Sequence, residues 1–195
     1  MTKIAVIYHS GYGHTKLQAE AVLEGASSVD GVEATIMTAE EAKDRLDALS
    51  GFDGMIWGSP TYMGTVSAPM KAFIDATSKP WSQQAWKDKV AAGFTNSGSP
   101  SGDKVNTLVE FAVLAAQHGM IWVGQGEMNE TASPDWSRDD SQGVNRLGGY
   151  LGAMAQSENA EPGPNNPPQG DIETARRHGA RVAAATKRWK AGRPD

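Results

Sequence analysis

The sequence contains no cysteine. That absence excludes disulfides, thiolate nucleophiles and cysteine-ligated metals, and it is compatible with a reducing compartment. No apolar run approaches the roughly 20 residues a membrane-spanning helix needs, so no membrane partner is expected. Charge of one sign is not in large excess: 18 Lys and Arg stand against 23 Asp and Glu, a net charge of −5. This argues against nucleic acid as a partner. Carboxylates and histidines nowhere take metal-ligand spacing, and no metal is expected. The N-terminus enters a strand pattern without the charged flank, apolar stretch and cleavage pattern of a secretory signal, so a cytoplasmic location is the expectation. Asn129-Glu130-Thr131 matches a glycosylation sequon, which would be incidental without secretion. No internal repeat is visible, and the 195 residues are expected to form one domain with a substantial core.

What is present is an alternation of strand and helix patterns. Ile4 to Tyr8 is a near-continuous apolar run, which suits a strand buried on both faces. Ser10-Gly11-Tyr12-Gly13-His14-Thr15 follows, then a helical pattern over 15–28. A strand, a tight turn and a helix in that order aim backbone N–H groups and a positive helix end at an anion. The dinucleotide fingerprint Gly-x-Gly-x-x-Gly fails here, because Lys16 stands at its third glycine. A second stretch, Gly98 to Lys104, looks like a nucleotide P-loop but is one residue short, with Asp103 before the lysine. A carboxylate there would repel phosphates. What remains is a loop of hydroxyls and glycines, suited to a terminal monophosphate such as that of flavin mononucleotide (FMN).

Further along, Val32 to Met37 reads as a more polar strand near an edge, and 39–49 as a short surface helix. Gly54 to Ser59 is a third strand, running into Pro60-Thr61-Tyr62-Met63-Gly64. A helix is predicted over 67–77, with Lys79-Pro80-Trp81 breaking the pattern. Val90 to Thr95 is a fourth strand, ending in Asn96-Ser97-Gly98-Ser99-Pro100-Ser101. A buried helix is predicted over 103–117, a fifth strand over 120–123, and a last helix capped by Asp171. Residues 124–170 read as one long loop rich in Gly, Pro, Asn and Ser. A loop of that length is often functional, here as a flap or an oligomer contact. The order implies an α/β, flavodoxin-like three-layer sandwich, with a five-stranded parallel sheet (order 2-1-3-4-5) and helices on both faces. In such sheets ligands sit beyond the carboxyl ends of the strands at the switch point. The loops after strands 1, 3 and 4 all converge there, which strengthens the FMN reading.

Three motifs also carry a resemblance. Tyr8 to Thr15, Gly58 to Gly64 and Phe94 to Ser99, with Gln117-His118-Gly119-Met120, resemble the flavodoxin superfamily, and more closely the WrbA-type NAD(P)H:quinone oxidoreductases. By that resemblance Ser10 to Thr15 would hold the ribityl phosphate. Pro60 to Gly64 and Asn96 to Ser101 would line the flavin ring, and His118 would approach its edge. Tyr12 and Trp81 would meet the nicotinamide or the substrate ring. NAD(P)H would be the electron donor and a quinone or similar flat acceptor the oxidant, in a homodimer or homotetramer. The chain departs from the pattern at Tyr62 and Met63, where members often carry an arginine and an aromatic. A flavodoxin-type one-electron carrier and a binding module without turnover remain open as alternatives.

Overall fold

The computed structural model describes residues 1–129 and 142–192. A parallel sheet is built from β1 (Thr2–Tyr8), β2 (Val32–Thr38), β3 (Gly54–Tyr62), β5 (Val90–Ser97) and β6 (Ile121–Trp122), in the order β2-β1-β3-β5-β6. This is the topology that the sequence implies. Two more strands join it. β4 (Thr65–Val66) turns back antiparallel onto β3, and β7 (Ala153–Gln156) runs parallel to β5. The helices are α1 (His14–Ser27), α2 (Ala39–Lys43), α3 (Leu46–Leu49), α4 (Ala68–Ala76), α5 (Ser78–Ser82), α6 (Lys104–Gln117) and α7 (Gln169–Ala191).

Alternation along β1 explains the layers. Ile4, Ala5, Val6 and Ile7 are all fully buried, and successive side chains leave a strand on opposite faces. Ala5 and Ile7 join Met55, Trp57, Phe73, Phe111 and Leu108 in one core. Ile4 and Val6 join Ile56, Phe94, Val22 and Val182 in the other. Central strands therefore have no polar face, whereas β2, at the sheet edge, is only partly buried. On the second face α1 and α7 cross at close range. A Cβ on Gly25 would stand 1.8 Å from the Arg176 carbonyl oxygen, and one on Gly179 would stand 2.1 Å from that of Val22. Both positions need glycine for the helices to approach so closely.

Several expectations change. The fifth strand is split: β6 pairs with the first two residues of β5, and β7 pairs with its last four, Phe94 to Ser97. The long-loop reading of 124–170 therefore contains a strand. The surface helix over 39–49 is two short helices, α2 and α3. Lys79-Pro80-Trp81 lies inside α5 rather than in a break. Asp171 does not cap the last helix. α7 starts two residues earlier with Pro168 at its N-cap, and the Asp171 carboxylate is buried against Arg146.

Candidate functional site

The turn after β1 is shaped by its own side chains. Ser10 Oγ accepts the Gly13 N–H at 3.0 Å. Gly13 takes a left-handed conformation (φ 95) at the N-cap of α1, where no side chain caps the helix. The first-turn N–H groups of α1 therefore keep their donors for a ligand. Thr15 is buried with its hydroxyl in the same turn. Lys16 faces the other side of the loop and approaches Glu20 at 3.8 Å.

β3 and β5 supply the other walls. Thr61 Oγ1 shares hydrogen bonds of 2.8 Å with both Thr95 and Thr107, and Thr95 donates to the Ser59 carbonyl at 2.7 Å. This buried hydroxyl chain locks the ends of both strands to α6. Tyr62 meets Tyr12 edge-on, with ring centroids 6.4 Å apart and planes at 70°. Partial burial, with Tyr12 beside it, raises the Tyr62 hydroxyl above its ordinary pKa. Asn96 Oδ1 accepts the Ser157 hydroxyl at 2.9 Å.

These walls enclose a cleft of about 500 Å³, within the range of cofactor sites. Of the residues singled out from the sequence, Ser10, Gly11, Tyr12, His14, Thr15, Pro60, Thr61, Tyr62, Asn96, Ser97 and Gly98 line it. Gly13 stands behind it as the helix cap. Met63 (φ 48) is fully exposed at the hairpin turn, next to Gly64 (φ 89). Ser99, Pro100 and Ser101 turn their carbonyls to Lys104 instead.

A fourth wall was not legible as a site in the sequence. Ser157 to Pro162 form a strap across the cleft. Asn166 ties it down: its Oδ1 accepts the Glu158 N–H at 2.8 Å, and its Nδ2 donates to the carbonyls of Ala160 and Glu161 at 3.2 and 3.1 Å. His14 Nε2 reaches the Ala160 carbonyl at 2.9 Å, so this histidine joins the phosphate-type turn to the strap. The acidic run Asp135 to Asp140, which reads from the sequence as a solvated loop with a flap over the flavin as the alternative, lies outside the described residues.

His118 and Trp81 are not brought to this cleft. His118 ends α6 at the opposite end from the Asn96–Ser101 loop. It is buried, with Nε2 at 3.0 Å from Thr77 Oγ1 and its ring stacked on Trp86 at 4.4 Å. Burial pushes its pKa down to about 4. Trp81, half-exposed, lines a second, open groove with His118, Lys71 and Glu110. Among the described residues no cluster could hold a metal ion, and no helix is long and apolar enough to cross a membrane.

The donor set suits a monophosphate: an uncapped helix start, the Ser10 and Thr15 hydroxyls, and no carboxylate in the turn between Ser10 and Thr15. The three strand-end loops beside it suit a flat ring. Comparison with known proteins identifies the family. Residues 27–134 match the model of the family described as NADPH-dependent FMN reductase. The chain is 44% identical to the flavodoxin FldP of Pseudomonas aeruginosa, over 94% of this chain and 96% of that one. It is 30% identical to an NAD(P)H dehydrogenase (quinone) of Methanosarcina mazei, over 96% and 98% of the two chains. Among solved structures, a flavodoxin, WrbA-like protein from Agrobacterium tumefaciens superposes with a TM-score of 0.73 at 41% identity, covering 96% of this chain and 99% of that one. The chain belongs to the NADPH-dependent FMN reductase family, as a WrbA-type member of the flavodoxin superfamily.

Proposed function

We propose that this protein binds FMN in the cleft and passes two electrons from NAD(P)H to a quinone or similar flat acceptor, the two partners using the same space in turn. The observation that carries this is the convergence of three polar loops around an uncapped helix start, beneath an open mouth edged by the exposed Tyr12. FMN held there would supply the redox chemistry, a two-electron, hydride-type exchange between NAD(P)H and the acceptor, with the balancing proton from solvent. The chain binds and orients. Ser10, Thr15 and the first N–H groups of α1 hold the phosphate. Pro60 to Tyr62 and Asn96 to Gly98, which line the cleft, would flank the ring. Tyr12, largely exposed, offers a flat wall to a flat partner. The strap over the cleft limits access of water from its side. No side chain lining the cleft is needed as an acid or base.

A second reading is an electron carrier that docks on redox proteins. It is favoured by the 44% identity to a flavodoxin, and by Glu158 and Glu161 on the strap, which would disfavour extra negative charge in the cleft. One experiment separates them. Purified protein is mixed with FMN, NADPH and benzoquinone, with no partner protein. Rapid, acceptor-dependent loss of NADPH absorbance supports the enzyme. FMN binding without NADPH loss supports the carrier, and failure to bind FMN rejects both.

A further inference from the structure

The stretch that looks like a shortened P-loop gives its lysine another task. Lys104 is the first residue of α6 and is fully buried. Both features run against preference. A cation at a helix N-terminus opposes the dipole, and lysine is rarely buried without partners. Its ammonium donates to the carbonyls of Ser99, of Pro100 at 3.1 Å and of Ser101 at 3.5 Å. The carbonyl before these, Gly98, accepts Gln156 Nε2 at 3.3 Å. Consecutive carbonyls from 98 to 101 are thus drawn to Lys104 and Gln156, neither of which lines the cleft. Both donors lead back to Asp171, in the first turn of α7. Its Oδ2 accepts the Gln156 N–H at 2.8 Å, and Arg146 grips the same carboxylate with two bonds of 2.8 Å. The charged groups facing Lys104 are this Asp171 and Arg146. The cleft lining itself contains two glutamates and neither lysine nor arginine.

We propose that Lys104 is a positioning residue of the flavin site. Its ammonium holds the third loop with the carbonyls turned from the cleft, which leaves N–H and hydroxyl groups for the ring. It also supplies, from behind the loop, the positive charge that the lining lacks. This rests on the cleft being the FMN site. Burial lowers the Lys104 pKa to about 8, with Asp171 opposing the shift and Arg146 adding to it. Above that pH the ammonium is lost and its hold on the carbonyls weakens. Fold stability responds in the opposite sense. A lysine that gives up its proton more easily folded than unfolded penalises the fold below about pH 8, and that penalty is relieved as pH rises towards its ordinary value. Flavin affinity falling while this contribution to stability rises is a pairing that a merely structural lysine would not give.

The test measures FMN dissociation constants by quenching of flavin fluorescence between pH 7 and 9.5, and the midpoint potential of the bound flavin at pH 7. The proteins are wild type, Lys104→Met and Lys104→Gln. Wild type is expected to lose about tenfold in affinity across that range, the worth of a charge-assisted hydrogen bond. K104M should begin about tenfold weaker and show no such fall. Its reduced flavin should be weakened more than its oxidised flavin, lowering the potential by about 30 mV for each tenfold difference. K104Q, which keeps donors without charge, should bind FMN at pH 7 about as weakly as wild type does at pH 9.5, with no further fall as pH rises and with the lowered potential of K104M. Wild-type affinity, potential and pH profile in both variants would overturn the assignment. Should neither variant fold, a flat wild-type profile does the same. Wild type that ignores FMN at pH 7 would instead overturn the reading of the cleft, and the role of Lys104 with it.

Discussion

His178 shows what one buried side chain can do to acid stability. It sits on α7 with no exposed surface, and neither ring nitrogen has a hydrogen-bond partner. Burial holds its pKa down at about 4; the Gly93 backbone favours the charged form but falls short of hydrogen-bond geometry. Because the unfolded chain takes up this proton near pH 6.5 and the folded chain only near 4, the fold loses stability as pH falls between those values. Urea denaturation should find His178 alone responsible for about 2 kcal/mol between pH 7 and pH 5. His178→Leu should remove that part of the slope. At this scale the sequence was informative where chemistry is local. Ser10, Gly13 and Thr15 could be placed in one turn because they are neighbours in the chain. The setting of Lys104 could not be read, although its carbonyl partners Ser99 to Ser101 are near in the chain, because its burial and the charges of Asp171 and Arg146 that face it come together only on folding. His118 was misplaced for a related reason. Its spacing from the third loop was visible, but α6 carries it to the other end of the layer.

Two elements bear the next set of consequences. The α1–α7 crossing depends on Gly25 and Gly179, whose added methyls would meet backbone carbonyls that cannot swing aside. Gly179→Ala should cost at least about 1–3 kcal/mol through overpacking, read as a drop of several degrees in the melting temperature. The strap depends on Asn166. Asn166→Ala removes one acceptor and the Nδ2 donor from three of its peptide groups. FMN affinity should weaken about tenfold, and limited proteolysis should cut the strap faster, with little change in melting of the FMN-free protein. Strands β1, β3 and β5 were legible because both their faces are apolar. β7 was not, since Ala153-Met154-Ala155-Gln156 has little strand preference and forms on the edge that β5 offers. α5 was missed because Pro80 reads as a breaker, although proline is tolerated in a first helical turn.

For the whole molecule, the site is a product of topology: three loops meet because β1, β3 and β5 are sheet neighbours. A ligand gripped by all three binds only the folded chain. Unfolding measured with FMN at a hundred times its dissociation constant should therefore be about 2.7 kcal/mol harder than without it, and riboflavin, which lacks the phosphate, should give much less. The strand order followed from the alternation of patterns, whereas the fourth wall could not, because 157–162 has no periodicity and gains its shape from Asn166 and His14. The divided outer strand has a practical consequence. β6 and β7 lean on different stretches of one neighbour, so the polypeptide leaves the sheet and re-enters it along a single seam. Foreign sequence could be spliced in at that seam with the cleft left intact, provided the graft keeps the buried Gln125, Val144 and Asn145, the first and last of which bond to α7, and Arg146, whose grip on Asp171 anchors the return.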